Sequence, residues 1–164
     1  WWLTSSVAGR KEWVSSSHLY FKLKEDTRMI KNIVTNIEQL RQPSVPATKA
    51  DLPLATDLRD TLAAHQDHCV GMAANMIGEH KRAIIAQLGP IPVVMFNPQL
   101  TNQSQPYQTK EGCLSLTGQR PTKRFKKITV QFYNQQWQRQ QLTLTDFAAE
   151  IVQHELDHCN GVII

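Results

Sequence analysis

The feature that most constrains this sequence is a single, well-bounded helix near its end. Thr145 or Asp146 can cap its start, because a side-chain oxygen at this position accepts a hydrogen bond from an orphan backbone N–H. The helical pattern continues to about Cys159, and Asn160-Gly161 supplies a left-handed stop. We therefore predict one helix between these signals, packed against whatever sheet the rest of the chain forms.

This helix carries an HExxH motif at residues 154–158. Residues four apart lie on the same helical face, so both histidines can bind one metal ion. Glu155, beside the first histidine, can take a proton from water at such an ion. The motif also occurs on solvated helices, but Phe147 and Ile151 share the face of His154, which indicates a face turned toward a core. Unpaired buried charges are costly, so a charged motif on that face indicates a function.

Two histidines leave a catalytic metal ion short of one protein ligand, and Cys113 is the best candidate. It lies within the segment 111–115, Glu-Gly-Cys-Leu-Ser, and thiolate is a strong ligand for a borderline-soft ion. A lone cysteine is more often a small buried apolar residue, and we assign that role to Cys69 and Cys159. Three other histidines could bind a metal ion on the basis of their chemistry, but we interpret them as surface or helix-end residues: His65, His68 and His80.

The rest of the pattern predicts an α+β fold. An amphipathic helix is expected over residues 57–67, whereas residues 30–40 fit a helix or a strand equally well. Four strands are expected, the last two forming a hairpin around Asn134: 82–88, 91–96, 128–133 and 138–144. Because the predicted strands come before the final helix in the chain, we predict mostly antiparallel sheets packed around a central HExxH helix.

Length and composition indicate one domain in a reducing compartment. The chain has 164 residues, and its three widely spaced cysteines argue against a disulfide framework. No apolar run approaches the ~20 residues that span a bilayer, so we expect no membrane partner and a cytoplasmic location in a bacterium. Residues 1–28 lack clear periodicity and are interpreted as an N-terminal extension outside the native domain, with a packed arm as the alternative. The domain itself is expected over residues 29–164, opening at Met29.

The net charge of +4 does not require a polyanionic partner. One cluster of basic residues could bind phosphate groups. We interpret it instead as solvent-exposed residues of a loop and of the beginning of a strand, so nucleic-acid binding is disfavoured. The cluster comprises Arg120, Lys123, Arg124, Lys126 and Lys127.

Three segments together resemble the peptide deformylase family. Residues 71–78 are similar to its G-L-A-A-x-Q-I-G segment, 111–115 match E-G-C-L-S, and 153–161 match Q-H-E-x-D-H-x-x-G. The resemblance covers roughly residues 29–164, and the three motifs in order are far more specific than any one alone. A zinc protease is the rival for HExxH, but such enzymes more often use a third His or Glu ligand than a cysteine.

The resemblance implies a hydrolase that removes the formyl group from the N-terminal methionine of nascent polypeptides. Cys113, His154 and His158 would hold one divalent ion, ferrous iron in vivo, with zinc, nickel or cobalt also accommodated. Glu155 would be general base and then general acid, and the backbone N–H of Leu114 would donate to the oxyanion. The family also implies a substrate groove and methionine pocket built from Val70, Gly71, Met72, Met76, Arg120, Phe147 and Ile151. Ribosome contact, if made, would be transient.

Two departures from the family pattern bear on activity. Met76 stands where the family has a glutamine that donates to the oxyanion, and a thioether cannot donate. We therefore expect a slow deformylase, with a weak or inactive protein that binds metal or formylated peptides as the alternative. Cys69 stands where the family prefers glycine, and would be strained if that position needs an unusual backbone angle. The sequence ends at Ile164, soon after His158, as expected of a short form of the family.

Overall fold

The computed structural model describes residues 2–7, 10–15 and 29–164. Its strands are β1 (Trp2–Val7), β2 (Arg10–Ser15), β3 (Gly71–Ala73), β4 (Ala83–Ala86), β5 (Val93–Cys113), β6 (Leu116–Tyr133) and β7 (Arg139–Thr145). Its α-helices are α1 (Ile37–Leu40), α2 (Leu54–Ala64) and α3 (Asp146–Cys159), and two 3₁₀ turns span Lys49–Asp51 and Ala74–Ile77. The predicted extension, residues 1–28, lies partly outside the described residues.

The main sheet is antiparallel throughout, with strand order β3-β4-β5-β6-β7. Strands β5 and β6 form one long hairpin whose tight turn, at Leu114 and Ser115, directly follows Cys113. Register shifts interrupt this hairpin at three places, one of them between Gly112 and Cys113. β1 and β2 pair with each other in a separate antiparallel ribbon. The α+β architecture predicted from the sequence is confirmed.

Helix α3 lies against the sheet and ends where the sequence predicted. Gly161 adopts φ +72°, and Val162 N donates to Asp157 O at 2.9 Å, which closes the last turn. A side chain at Gly161 would collide with the Arg41 carbonyl oxygen, so glycine is required there for space as well as for backbone angle. The predicted start needs a correction, because Thr145 is the N-cap residue but makes no side-chain capping hydrogen bond.

The sheet is packed on both faces, and the alternation along β4 shows how. Ile85 points into a cluster with α1 and α2, whereas Ile84 points into a second cluster with α3. Both side chains are completely buried. Gln153 of α3 ties the helix to the sheet, because its amide exchanges hydrogen bonds with the backbone N–H and C=O of Phe125 on β6. The helix is therefore fixed in register with the sheet.

Several element boundaries differ from the sequence prediction. The helix expected over 57–67 spans Leu54–Ala64, and the ambiguous stretch 30–40 contains only the short helix Ile37–Leu40, capped by Asn36. The hairpin around Asn134 is present, but its first strand belongs to the much longer β6. Within the described part of the chain, no helix is long and apolar enough to cross a membrane.

Candidate metal centre

The tertiary fold brings Cys113, at the end of β5, to the two histidines of α3. Cys113 Sγ lies 3.2 Å from His158 Nε2, and His158 Nε2 lies 3.1 Å from His154 Nε2. The three ligand atoms all lie within 4.8 Å of one another. The structure thus gathers all three residues that the sequence proposed as metal ligands.

This donor set fits a tetrahedral divalent ion. Ligand atoms about 2.0–2.3 Å from such an ion lie roughly 3.3–3.8 Å apart, close to the separations observed. The Nε2 atoms of His154 and His158 face each other, and a cation between them removes the repulsion of their lone pairs. Thiolate and imidazole together suit zinc, iron, nickel or cobalt rather than magnesium or calcium. The residues present therefore fit the cofactor that the sequence implied.

A buried ionic network orients His154. Its Nδ1 lies 2.7 Å from Glu111 Oε2, and a carboxylate only accepts, so Nδ1 carries the proton and Nε2 is left to bind metal. Arg124, 4% exposed, donates to both oxygens of Glu111 at 2.8 Å and to Asp157 at 2.6 Å. Burial raises the pKa of Glu111, but hydrogen bonds from His154 and Arg124 outweigh it and lower that pKa to about 2.

The same surroundings favour the protonated imidazole at His154 and the neutral imidazole at His158. Burial lowers the pKa of His154, but hydrogen bonds to Cys113 and Glu111 outweigh it and raise the pKa to about 10. Burial, reinforced by the charge of His154, lowers the pKa of His158 to about 3. His158 therefore presents a lone pair, whereas metal binding at His154 Nε2 requires that this imidazole release its second proton.

Glu155 lies beside the ligands with its carboxylate withdrawn from solvent. The side chain belongs to a residue only 4% exposed, and its Oε2 has no hydrogen-bond partner among the described residues. Burial raises the pKa of Glu155 to about 7. A carboxylate with such a pKa can both accept and return a proton near neutral pH.

Gly71 on β3 makes room for this carboxylate. A Cβ atom there would lie 2.6 Å from Glu155 Oε1 and 2.9 Å from Ile151 Cγ2. Both neighbours are buried, so a methyl group could be accommodated only by displacing the carboxylate or the helix.

We expect Gly71→Ala to lower kcat/KM for hydrolysis of a formylated peptide by about 10²-fold, since a displacement of ~1 Å at a reacting group can cost that much. Bound metal should stay at the wild-type amount, because no ligand is touched. Gly89→Ala is the matched control, since nothing lies within 4 Å of a Cβ atom at Gly89. Unchanged kcat/KM in Gly71→Ala would mean that the Glu155 position does not limit turnover.

A groove of about 260 Å³ opens over the metal centre between β3, the end of β5 and helix α3. Six of the residues predicted for substrate or oxyanion contact line it: Val70, Gly71, Met76, Leu114, Phe147 and Ile151. Met72 is fully buried in the core and Arg120 donates to the Ile164 carbonyl, and neither lines the groove. A substrate contact from Met72 would have to come from its backbone, and both roles stay predictions.

Six groove residues were not assigned a role there from the sequence: His68, Cys69, Lys110, Glu111, Gly112 and Glu150. Glu111 and Gly112 belong to the 111–115 motif and Lys110 precedes it, so proximity in sequence was an available signal for these three. His68 is exposed in the turn that follows helix α2, which agrees with its interpretation as a surface or helix-end residue, and it also lines the groove. Cys69 lies two residues before Gly71, and Glu150 lies one helical turn before His154, so spacing from the predicted site residues was an available signal for both.

Within residues 29–164, neither Met76 nor its neighbour Asn75 supplies the missing amide donor. Met76 is 1% exposed, and its Sδ is 3.5 Å from Ala73 N, where it can only accept. The neighbouring Asn75 is buried and directs its amide NH₂ to the carbonyls of His158 and Leu40, at 2.9 and 3.4 Å. Asn75 therefore supports the helix and does not face the groove.

The expected strain at Cys69 is absent. Among the described residues, the non-glycine positions with positive φ are Asn97, Gln105, Trp137 and Asp146, so Cys69 has an ordinary backbone angle. Its Sγ–H donates to the Gly71 carbonyl at 2.8 Å, and burial raises its pKa to about 11. Cys69 is thus a protonated thiol at the groove, whereas Cys159 is fully buried in the core as predicted.

Comparisons with known proteins agree with this site. The family model for polypeptide deformylase matches residues 30–164. The peptide deformylase of Clostridium beijerinckii is 46% identical over 136 residues, covering 83% of this chain and 100% of that protein. The peptide deformylase of Carboxydothermus hydrogenoformans is 33% identical over 142 residues, covering 86% of this chain and 83% of that protein.

Solved structures give the same result at the level of the fold. The peptide deformylase of Thermotoga maritima superposes with a TM-score of 0.74 at 29% identity, covering 82% of this chain and 94% of that chain. A class I type b peptide deformylase from Acinetobacter baumannii, solved with Met-Ala-Ser bound, gives a TM-score of 0.74 at 27% identity and covers 82% and 96%. With its Cys/His/His triad in place, this chain belongs to the polypeptide deformylase family and is a metal-dependent hydrolase.

Proposed function

We propose that residues 29–164 form the catalytic domain and remove the formyl group from N-formylmethionyl peptides, with Fe²⁺ as the metal in vivo. The observation that carries this proposal is the convergence of Cys113, His154 and His158 beside the buried carboxylate of Glu155. The Acinetobacter baumannii relative binds Met-Ala-Ser, which is the peptide left when formyl-Met-Ala-Ser loses its formyl group.

The metal ligands on this chain would be Cys113, His154 and His158. When bound, a divalent ion supplies Lewis acidity that activates water and polarises the formyl carbonyl. The chain's own contribution is to fix this donor set, through Glu111 on His154 and through the Asn75 hydrogen bond to the backbone of His158.

Glu155 would move the proton. Its unpartnered Oε2 accepts a proton from the attacking water and then delivers it to the leaving amine nitrogen. Formate and a free amino terminus are the products of this hydrolysis. The pKa of about 7 suits both directions of transfer.

The peptide would extend along the open edge of β3, which is an edge strand of the main sheet. Val70 is 41% exposed and the backbone of Gly71 is free of a side chain, so main-chain pairing with an extended substrate is sterically open there. The Leu114 N–H would donate to the developing oxyanion. Met76 contributes no donor beside it, so we propose that turnover is slow.

A second candidate function is a protein that binds metal or formylated peptides with little turnover. The observation that favours it is the engagement of Asn75 with two carbonyls, which leaves Met76 uncompensated. The buried and unpartnered Glu155 carboxylate favours catalysis, since binding alone does not require a base.

The proposed function is tested by hydrolysis of formyl-Met-Ala-Ser with anaerobically prepared, iron- or nickel-loaded protein. We expect measurable turnover that falls by about 10²–10⁴-fold in Glu155→Ala, since general acid–base catalysis is worth that much. Metal content should be the same in both proteins. Glu79→Gln, which alters an exposed carboxylate away from the groove, should retain wild-type turnover.

Absence of turnover in both the wild type and Met76→Gln, with metal bound to each, would reject the hydrolase and support the binding function. We also propose that the protein is located in the reducing cytoplasm of a bacterium. Its three free cysteines and its bacterial relatives support this location.

A further inference from the structure

Glu150 on helix α3 is a groove residue that the proposed reaction does not use. It is half-buried and lines the groove one helical turn before His154. Tyr107 on β5 donates a hydrogen bond from Oη to Glu150 Oε2 at 2.6 Å. This bond holds the carboxylate against the β5 wall of the groove, so its position is fixed by the fold.

The Glu150 carboxylate has hydrogen-bonding capacity to spare. Among residues 29–164, Tyr107 is its one hydrogen-bond partner, and no Lys, Arg or His nitrogen lies within 4 Å of it. Lys110 also lines the groove but is exposed, so its charge is screened by solvent. The half-buried carboxylate is therefore the less screened of these two charges.

Glu150 is positioned so that the first side chain of a bound peptide can reach it. Glu150 precedes His154 by four positions in the helix, which corresponds to a rise of about 6 Å. When the formyl carbon is at the metal centre, the next two atoms are the amide nitrogen and the first Cα. A long unbranched side chain on that Cα spans about the same distance. In an extended peptide the second side chain points to the opposite face.

The walls beside Glu150 are apolar. Phe147 lies about one helical turn before Glu150 and Ile151 is the next residue, and both line the groove. An aliphatic stem can pack on these two side chains while a terminal ammonium reaches the carboxylate. A long cationic side chain combines both contacts.

We propose that Glu150, oriented by Tyr107, is a specificity-determining residue that admits N-formylated peptides with a long cationic first side chain, such as formyl-lysyl peptides, in addition to formyl-methionyl peptides. The inference rests on the proposed function, because that function places the formyl carbon at the metal centre. Methionine is accommodated by the apolar walls alone, whereas lysine gains a charge-assisted contact.

The test compares two peptides that differ only in the ammonium group, formyl-Lys-Ala-Ser and formyl-norleucyl-Ala-Ser. Their dissociation constants are measured by calorimetry on metal-loaded Glu155→Gln protein, in which the general base is removed so that the peptides stay intact. We expect the preference for lysine over norleucine to fall about tenfold when Glu150→Gln is added, the size of one charge-assisted hydrogen bond.

Two further variants sharpen the comparison. Glu79→Gln on the same background removes an equal charge away from the groove and should leave the preference unchanged. Tyr107→Phe removes the hydroxyl that orients Glu150 and should reduce the preference by a smaller factor than Glu150→Gln. If the preference came only from the overall electrostatic field of the protein, Glu79→Gln and Glu150→Gln would reduce the lysine-to-norleucine preference equally.

A change below about twofold in the lysine-to-norleucine ratio on Glu150→Gln would overturn the inference. Hydrolysis of formyl-Met-Ala-Ser by the Glu155-containing protein is measured separately and tests only the proposed function. Loss of that hydrolysis with the binding preference intact would reject the enzyme and keep the specificity. Hydrolysis of formyl-Met-Ala-Ser without a binding preference for lysine would support the enzyme and reject the specificity.

Discussion

Replacing Met76 with glutamine is expected to raise kcat/KM for formyl-Met-Ala-Ser by about 10²–10³-fold, which is what one oxyanion donor is typically worth. Met76 lines the groove, and its thioether only accepts, from Ala73 N. A glutamine amide there could donate to the oxygen on which charge develops. Steady-state kinetics of the metal-loaded variant and the wild type, measured side by side, give the ratio directly.

Met76→Leu is the matched control, because leucine keeps an apolar side chain of similar volume and adds no donor. It should stay near the wild-type rate. Metal content and melting temperature are measured for both variants, since the site is 1% exposed and burying an amide can destabilise the fold. A folded, metal-loaded Met76→Gln protein with no gain in turnover would show that the missing donor is not what limits catalysis.

Removing the thiolate of Cys113 is expected to weaken metal binding by more than about 100-fold, which exceeds the loss usual for removing a residue that only supports a ligand. Cys113 Sγ is one of three ligand atoms that lie within 4.8 Å of one another, and Cys113→Ala leaves only the two histidines. Competition with a chromophoric chelator measures the affinity, and elemental analysis measures the stoichiometry.

Cys69→Ala provides the comparison, because Cys69 is a second cysteine at the same groove that donates its thiol hydrogen to the Gly71 carbonyl. It should keep wild-type affinity and stoichiometry. If Cys113→Ala also keeps both, a residue other than Cys113 completes the site. If both variants lose metal, the effect comes from the groove rather than from the ligand.

Helix α3 shows which helix boundaries the local sequence pattern can predict. Its predicted end at Cys159 and the stop at Asn160-Gly161 match the structure, because the stop depends on a backbone angle that glycine alone adopts readily. The start is less well determined. Thr145 is the N-cap residue, yet its side chain makes no capping bond, since the backbone path into the helix from β7 is set by sheet pairing.

The β5–β6 hairpin shows where local pattern fails. The sequence predicted strands only near its two outer ends, whereas the structure pairs Phe96 with Tyr133 at one end and Cys113 with Leu116 at the other. Much of the intervening sequence is polar and contains prolines, so it lacks the apolar alternation that marks a half-buried strand. Pairing between the two strands stabilises what neither strand's composition indicates.

The basic cluster shows the same limit for a functional interpretation. Arg124 was counted with four other cations that could meet phosphate or solvent. The structure instead buries it between Glu111 and Asp157, where it supports the carboxylate that orients His154. Glu111 precedes Cys113 by two residues, so a strand interpretation of this motif could have placed both side chains on one face.

The sequence by itself determined the catalytic helix, the identity of the donor atoms and the family, because i, i+4 spacing and short motifs act through local geometry. Only the tertiary structure decided that Gly71 leaves space for Glu155, that Asn75 cannot replace the donor absent at Met76, and that Tyr107 fixes Glu150 at the groove. These contacts join residues far apart in the chain. Their geometry depends on how β3, β5 and α3 pack, which local propensity does not specify.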